Sequence, residues 1–267
     1  MNQILHLRSE MQESYWNKEP NHPEYEIFSQ LQTPPDTPFF VRLDGRRFQA
    51  VSEMVGAEKP FDERFVKCLA ASAKAIFQSN LNPALAYVAS DEINVLFLYT
   101  SPFRRRVEKI NSILASVTSS AFSLNVLKLF KKSLVSSFDS RIVVSSKGKI
   151  TEYLAWRQRD AWRNHNNAYA YWILRKMGHK PAEAARMLKG FRTDDLHQML
   201  FRHGVNLAQT PSWQRRGILI YREPYQKQVK YLTVTRWRIE ESWDLPVFSS
   251  KEGQALIQQV LEWAEPR

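Results

Sequence analysis

Phe39-Phe40-Val41-Arg42-Leu43-Asp44-Gly45 is a compact β-type run that stops on an Asp-Gly turn dipeptide. Downstream, Ala86-Tyr87-Val88-Ala89 and Ile93-Asn94-Val95-Leu96-Phe97-Leu98-Tyr99 flank Ser90-Asp91-Glu92, the pattern of a hairpin with an acidic turn. Between these runs, residues 61–78 carry Phe65, Leu69, Ala73 and Ile76 at helical spacing. Residues 104–122, or slightly beyond, read as a second helix, and Arg141-Ile142-Val143-Val144 as a further strand. The order strand, helix, hairpin, helix, strand predicts an α+β fold, a mostly antiparallel sheet with helices packed on one face.

Outward from this unit, Asn17-Lys18-Glu19-Pro20-Asn21-His22-Pro23 and Thr33-Pro34-Pro35-Asp36-Thr37-Pro38 break regular structure, with room for a short helix between them. After residue 150 the chain reads as helical. Helices are expected over 156–177 ending at Gly178, over 181–189 ending at Gly190, and over 193–203 with a Thr193 cap and Gly204 at its end. Residues 217–221 and 231–238 read as strands around a Pro224 turn. Residues 251–262 form a last helix, with Leu256, Val260 and Trp263 on one packing face. The expected division is one unit over 1–150 and a mainly helical region over 151–267 that completes the fold.

The chain has 267 residues, 43% of them hydrophobic and 24% charged, a globular composition rather than a disordered one. The single cysteine, Cys68, excludes an intramolecular disulfide and a multi-cysteine zinc site, and points to a reducing compartment. The acidic, apolar-poor start does not read as a signal peptide, and the uncharged stretch 110–127 holds too many Ser, Thr and Asn for a membrane span. A soluble, cytoplasmic protein with no membrane partner is expected. The formal net charge is +11 and unevenly spread: residues 1–40 hold six acids against Arg8 and Lys18. Residues 101–132, 155–190 and 213–238 are strongly basic and interleaved with aromatics such as Trp156, Trp162, Trp213, Tyr225 and Trp237. That mixture suits phosphate contacts plus stacking on unpaired bases, so a nucleic-acid partner is expected.

Asp44 sits at a strand end and Asp91 in a hairpin turn, positions that a split βαβ sheet can bring side by side. Two carboxylates there would hold hard cations such as magnesium, and two such ions would stabilise the attacking and leaving oxygens of a phosphoryl displacement. Gly45 would let a phosphate or metal approach the backbone without a Cβ. Each feature alone is also ordinary turn chemistry; the weight lies in their combination. Lys59-Pro60 and Phe103-Arg104-Arg105-Arg106-Val107-Glu108-Lys109 offer charges to a triphosphate, with Arg105 and Lys109 on one face of the expected helix. Bases at a helix start oppose the helix dipole, which favours a functional use for them.

Taken in order, Val41-Arg42-Leu43-Asp44-Gly45-Arg46-Arg47-Phe48, Lys59-Pro60, Ser90-Asp91-Glu92, Phe103-Arg104-Arg105-Arg106, Phe138-Asp139-Ser140-Arg141-Ile142-Val143-Val144, Tyr153-Leu154-Ala155-Trp156-Arg157-Gln158, Leu188-Lys189-Gly190 and Arg215-Arg216-Gly217 resemble the tRNA-histidine guanylyltransferase family. The resemblance covers about residues 39–221. It implies a polymerase- and cyclase-like palm, and 3′-to-5′ nucleotide addition to the 5′ end of tRNA. It further implies that Asp44, Asp91 and Glu92 form the catalytic set, with two or more Mg2+ ions on Asp44, the Gly45 carbonyl and Asp91. Gly45, Arg46, Arg47, Phe48, Lys59, Ser90, Arg106 and Lys109 would face GTP or another nucleoside triphosphate. Arg157, Arg163, Asn164, Arg215 and Arg216 would face tRNA, and a homo-oligomer, dimer or tetramer, would hold it.

The sequence departs from the family pattern in two places. The family's His-Ile-Asn-Asn block falls on Trp162-Arg163-Asn164-His165, and its Asp-Lys-Asn-Glu block on Asp194-Asp195-Leu196-His197. These changes favour the guanylyltransferase-like branch, which resembles a templated polymerase repairing 5′-truncated tRNA, over strict addition of one G. His165 stays outside the catalytic set, since a helix-face histidine is more often packed or solvated. The alternatives are a non-catalytic tRNA-binding protein and a nucleotidyl cyclase on the same palm.

Overall fold

The computed structural model describes residues 28–265. Six strands, β1 (Phe39–Gly45), β2 (Leu85–Ala89), β3 (Glu92–Phe97), β4 (Phe138–Val144), β5 (Ile218–Val229) and β6 (Leu232–Ser242), form one sheet in the order β4-β1-β3-β2-β5-β6. Every neighbouring pair is antiparallel. β3 lies between β1 and β2, the split arrangement that places a strand end beside the hairpin turn. In register, Asp44 faces Glu92 on one side and Asp139 on the other.

The helices cover both faces of the sheet, not the one face expected. After the short α1 (Phe48–Val55), α2 (Glu63–Gln78) and α3 (Val107–Phe130) bury Val41, Leu43, Ile93 and Val95 on one side. α4 (Ile150–Lys176) and α8 (Lys251–Trp263), the latter following the short α7 (Ser212–Arg216) in the chain, bury Phe40, Leu96, Leu219 and Tyr221 on the other. Successive strand residues point to opposite faces, so the apolar runs 39–41 of β1 and 95–97 of β3 supply two cores at once. Each fully buried Leu, Ile or Phe contributes about 1.5–3 kcal/mol, which makes this double burial the main source of stability.

Several boundaries move for local reasons. α2 starts at Glu63 because the Asp62 carboxylate accepts from the Arg64 amide at 2.8 Å and caps the helix. α3 starts at Val107, since Phe103, Arg104 and Arg105 have φ of 56°, 52° and 67° and cannot be helical. That turn is held by a β-bridge from Gln32 to Arg106 and by Arg105 Nη1 donating to the Thr33 carbonyl at 2.9 Å. Arg105 therefore does not share a helix face with Lys109. By length and composition α3 passes for a membrane span, contrary to the expectation, but Ile110, Leu114, Phe122 and Val126 pack its stripe into the core. The short helix expected between Pro23 and Thr33 lies largely outside the described residues; Phe28, Ser29 and Gln30 form a turn.

In the second half, α5 (Pro181–Met187) and α6 (Thr193–Arg202) brace α4, with Ala170, Leu196 and Leu200 in a small third core. Thr193 is not the cap of α6; Arg192 holds that position, and Asp195 accepts from its amide at 2.9 Å. Pro224 lies inside β5 opposite Trp237 rather than in a turn. β5 pairs with β2 only over Ile218 to Tyr221, so Pro224 sits where the strand has a single neighbour, a place that tolerates a missing N–H. The hairpin reverses at Lys230, with φ of 56°, and residues 222–238 project as a two-stranded arm.

Candidate active site

Because β1 ends beside the β2–β3 turn, the Gly45 amide donates to the Asp91 carbonyl at 3.0 Å. Asp44 and Asp91 consequently line one cleft, whose other walls include Arg42, Ser90, Trp156, Asp160 and Asn164. Ser90, with φ of 59°, turns the hairpin there. Burial pushes the Asp91 carboxyl above the usual carboxylate range, and the charge of Asp44 pushes it further. Asp44 is raised too, first by burial and then by Asp139 and Glu92, with Arg42 and Arg141 opposing. The cleft thus concentrates negative charge that its own cations do not balance.

Among the described residues no group of three His, Cys, Asp or Glu side chains gathers closely enough to hold a metal ion. What the cleft offers is the carboxylates of Asp44 and Asp91, which suit magnesium, an ion held by one or two carboxylates plus substrate phosphates. A divalent cation would relieve the carboxylate repulsion that adds to burial in raising both acids. The residues present fit the ion.

Glu92 has a different environment. Its Oε1 accepts from Arg157 Nε at 2.8 Å and from Asn94 Nδ2 at 2.7 Å, while its Oε2 accepts from Arg157 Nη2 at 3.1 Å and lies 3.3 Å from Arg42 Nε. Arg157 also reaches Asp160 at 2.9 Å, and Tyr153 Oη donates to Asn94 Oδ1 at 2.6 Å. This carboxylate ties the acidic turn to α4. Arg157, expected on tRNA, is the other half of that tie.

A second cleft adjoins the first, sharing Ala89, Ser90 and Asp91. Lys59 enters it, donating to Ser52 Oγ and lying 5.6 Å from the Trp172 ring centroid. Burial pulls the Lys59 ammonium below its usual range, with Glu53 opposing, so an anion there would be welcome. Phe61, Phe65 and Trp213 make flat apolar walls. Phe61 did not stand out in the sequence as a site residue, because nothing local distinguishes it from a core aromatic; Trp213 was legible only as one of the aromatics interleaved in a basic stretch.

The remaining expected residues divide. A Cβ on Gly45 would meet the Phe48 ring at 2.4 Å, so the glycine is required by packing rather than for ligand access. Phe48 itself is buried among Phe65, Phe122 and Phe138, although it borders the second cleft. Arg46 and Arg47 are exposed beyond the end of β1. Arg106 and Lys109 line a separate groove with Ser29 and Ser112, and the structure does not bring them to the cleft of Lys59 and Ser90. Asn164 lines the carboxylate cleft, and exposed Arg163 pairs with Asp160 at 2.5 Å. Arg215 is half-buried, 6.0 Å from the Trp162 ring centroid, and burial and Arg216 disfavour its charge. Arg216 Nη1 donates to the Leu245 carbonyl at 2.7 Å, a scaffold role.

His165 is fully buried between Phe61 and Trp162, with Nδ1 2.9 Å from Asn166 Oδ1 and Nε2 3.0 Å from Thr210 Oγ1. Burial, with Arg215 and His197 nearby, pushes it down to about 4, so the ring is neutral at pH 7.

Two family models match the chain: tRNAHis guanylyltransferase over residues 21–146, and the Thg1 C terminal domain over residues 148–259. A tRNA(His) guanylyltransferase from Schizosaccharomyces pombe is 32% identical over 211 residues, 77% of this chain and 80% of that protein. tRNA(His) guanylyltransferase 1 of Arabidopsis thaliana is 30% identical over 197 residues, 72% of this chain but 35% of that longer protein, so the chain spans about a third of this relative. A solved structure of a bacterial tRNA(His) guanylyltransferase-like protein in complex with ATP superposes with a TM-score of 0.72 at 25% identity, covering 90% of this chain and 96% of the other.

Proposed function

The chain belongs to the tRNAHis guanylyltransferase family, a family of nucleotidyltransferases, and on that premise we propose that it adds nucleotides to the 5′ end of tRNA in the 3′-to-5′ direction. The observation that carries this reading is the placement of Asp44 and Asp91 in one cleft, both driven upward first by burial and then by neighbouring carboxylates. RNA binding alone gains nothing from a carboxylate pair aimed at phosphates. The 5′-monophosphate end attacks the α-phosphate of a nucleoside triphosphate and displaces pyrophosphate. The 3′-hydroxyl of the incoming nucleotide then attacks the activated 5′-phosphate, loses its proton to solvent and displaces the nucleoside monophosphate.

Each residue has a part in that sequence. Asp44 and Asp91, with the Gly45 carbonyl, would hold two or more magnesium ions, which supply neutralisation of the triphosphate and a lowered hydroxyl pKa. Lys59 faces the triphosphate, where a destabilised ammonium gains most from a phosphate oxygen. Ser90 lies between the two clefts and orients the turn through Asp91. Phe61 and Trp213 flank a base in the second cleft without reading its edge. Glu92 and Arg157 keep the turn fixed to α4, so the reacting groups are positioned in advance. Arg163 and the projecting arm, with Lys227, Lys230 and fully exposed Tyr231, offer phosphate and stacking contacts to RNA.

The finer reading is templated repair of 5′-truncated tRNA rather than strict addition of one G. It rests on the departures at residues 162–165 and 194–197, with base choice left to pairing with the opposite 3′ strand. The test is an incubation of purified protein with labelled tRNA lacking its first nucleotide, magnesium and the four triphosphates. Lengthened tRNA matching the template supports repair. A G added whatever the opposing base supports the strict enzyme. Bound but unlengthened tRNA would leave a binding protein, and a cyclic nucleotide would indicate a cyclase.

A further inference from the structure

We propose that Trp156 is the stacking platform for the terminal nucleobase at the 5′ end of the RNA, an inference that rests on the function proposed above. Trp156 stands on α4 and lines the same cleft as Asp44 and Asp91. It is 47% exposed and belongs to none of the three apolar clusters among the described residues. Apart from Ala89 and Ala161, the side chains that line the cleft with it are Asp, Glu, Arg, Asn and Ser. A large flat apolar ring left in water among such neighbours is what a stacking partner would cover.

The ring is also held in place. The Arg157 guanidinium lies 4.5 Å from its centroid, and that guanidinium is fixed by Glu92 and Asp160. Tyr153 meets it at 68° with centroids 5.8 Å apart, and the Tyr153 hydroxyl is anchored on Asn94. A ring backed on one side by a neutralised cation and packed against a second, anchored ring loses little freedom when a base settles on it. Asp160 and Asn164 follow at four and eight residues along α4 and line the same cleft. The helix rise puts Asn164 about 12 Å from Trp156, with exposed Arg163 beside it to meet a backbone phosphate. Stacking accepts any base, so such a platform would hold the RNA end while leaving the choice of nucleotide to pairing.

The test uses full-length protein and a 5′-truncated tRNA whose first nucleotide is 2-aminopurine, whose fluorescence falls on stacking. Binding is followed by quenching without magnesium, and extension by KM and kcat with it. The expected result is a quench by the wild-type protein that is lost in Trp156→Ala and restored in Trp156→Phe. KM for RNA should rise about tenfold in Trp156→Ala, with a smaller change in kcat. Equal quenching and equal KM in wild type and Trp156→Ala would overturn the proposal. So would a Trp156→Ala variant that changes its sedimentation coefficient but keeps the quench, since the ring would then serve a subunit contact. A wild-type protein that quenches but extends no RNA would overturn the function proposed above while still supporting the platform.

Discussion

Asp91 and Glu92 are neighbours on one turn, yet the two sides of that turn have opposite electrostatics. On the Asp91 side, burial and a second carboxylate push the acid up, and no cation is prominent among the influences on it. On the Glu92 side, Arg157, Arg42 and Asn94 occupy both carboxylate oxygens. An acid whose charge is matched from within the chain is scaffold. One whose charge is left over is available to something from outside. That difference separates two residues that a sequence motif presents as equals.

The largest expected effect of breaking this contrast falls on the unmatched side. Asp44→Asn and Asp91→Asn should each lower extension of truncated tRNA by about 100-fold or more, read by gel, with RNA affinity nearly unchanged. Asp91→Asn should at the same time raise Tm slightly at pH 7. Its folded-state pKa is raised above 3.8, so the ionised form opposes folding at neutral pH and the group favours folding only as pH falls. A fall in Tm would mean that the carboxylate is matched after all.

On the matched side the order reverses. Arg157→Ala takes two charge-assisted hydrogen bonds from the buried Glu92 carboxylate and leaves it only Asn94 and the more distant Arg42. That loss costs about 3 kcal/mol, and a Tm drop of roughly 6–12 °C in a thermal melt is expected. Activity should recover in part at low temperature, where the turn is still held.

A smaller effect concerns pH and lies away from the acids. His165 is pushed down to about 4 from an ordinary 6.5, so the unfolded chain binds the proton first. Its stabilising contribution is complete above about pH 6.5 and is lost as pH falls toward about 4. His165→Phe keeps the stacking with Phe61 and Trp162, and urea melts across that window should then show a flatter pH dependence. An unchanged slope would show that the ring is hydrated.

The smallest effect distinguishes basic residues by their partners. Arg163→Ala should weaken tRNA binding modestly and reduce the slope of log affinity against log salt by about one. Arg216→Ala should leave that slope alone and lower Tm, because its guanidinium is committed to Leu245.

How far the sequence reaches follows from the range of each interaction. Asp44 and Asp91 were legible because a strand end and a hairpin turn are local signals, and the split sheet joins them. The antiparallel α+β frame was legible for the same reason. The second covered face was not, since an apolar run such as Phe39-Phe40-Val41 does not say how many layers it feeds. Charge was visible at Arg157 and Arg216, but their partners, Glu92 and the Leu245 carbonyl, are distant in the chain, so both read as free cations. Gly45 looked like ligand access because the Phe48 ring that requires it returns only through the next helix. Arg106 and Lys109 looked like triphosphate contacts until the turn at 103–105, with three positive φ values, pointed them into another groove.

The account depends on Asp44 and Asp91 holding divalent cations together, and manganese binding followed by electron paramagnetic resonance tests that most directly. With a non-hydrolysable ATP analogue present, the wild-type protein should bind manganese tightly, and both Asp44→Asn and Asp91→Asn should lose most of that binding while remaining folded. Manganese bound equally well by all three proteins would contradict the account.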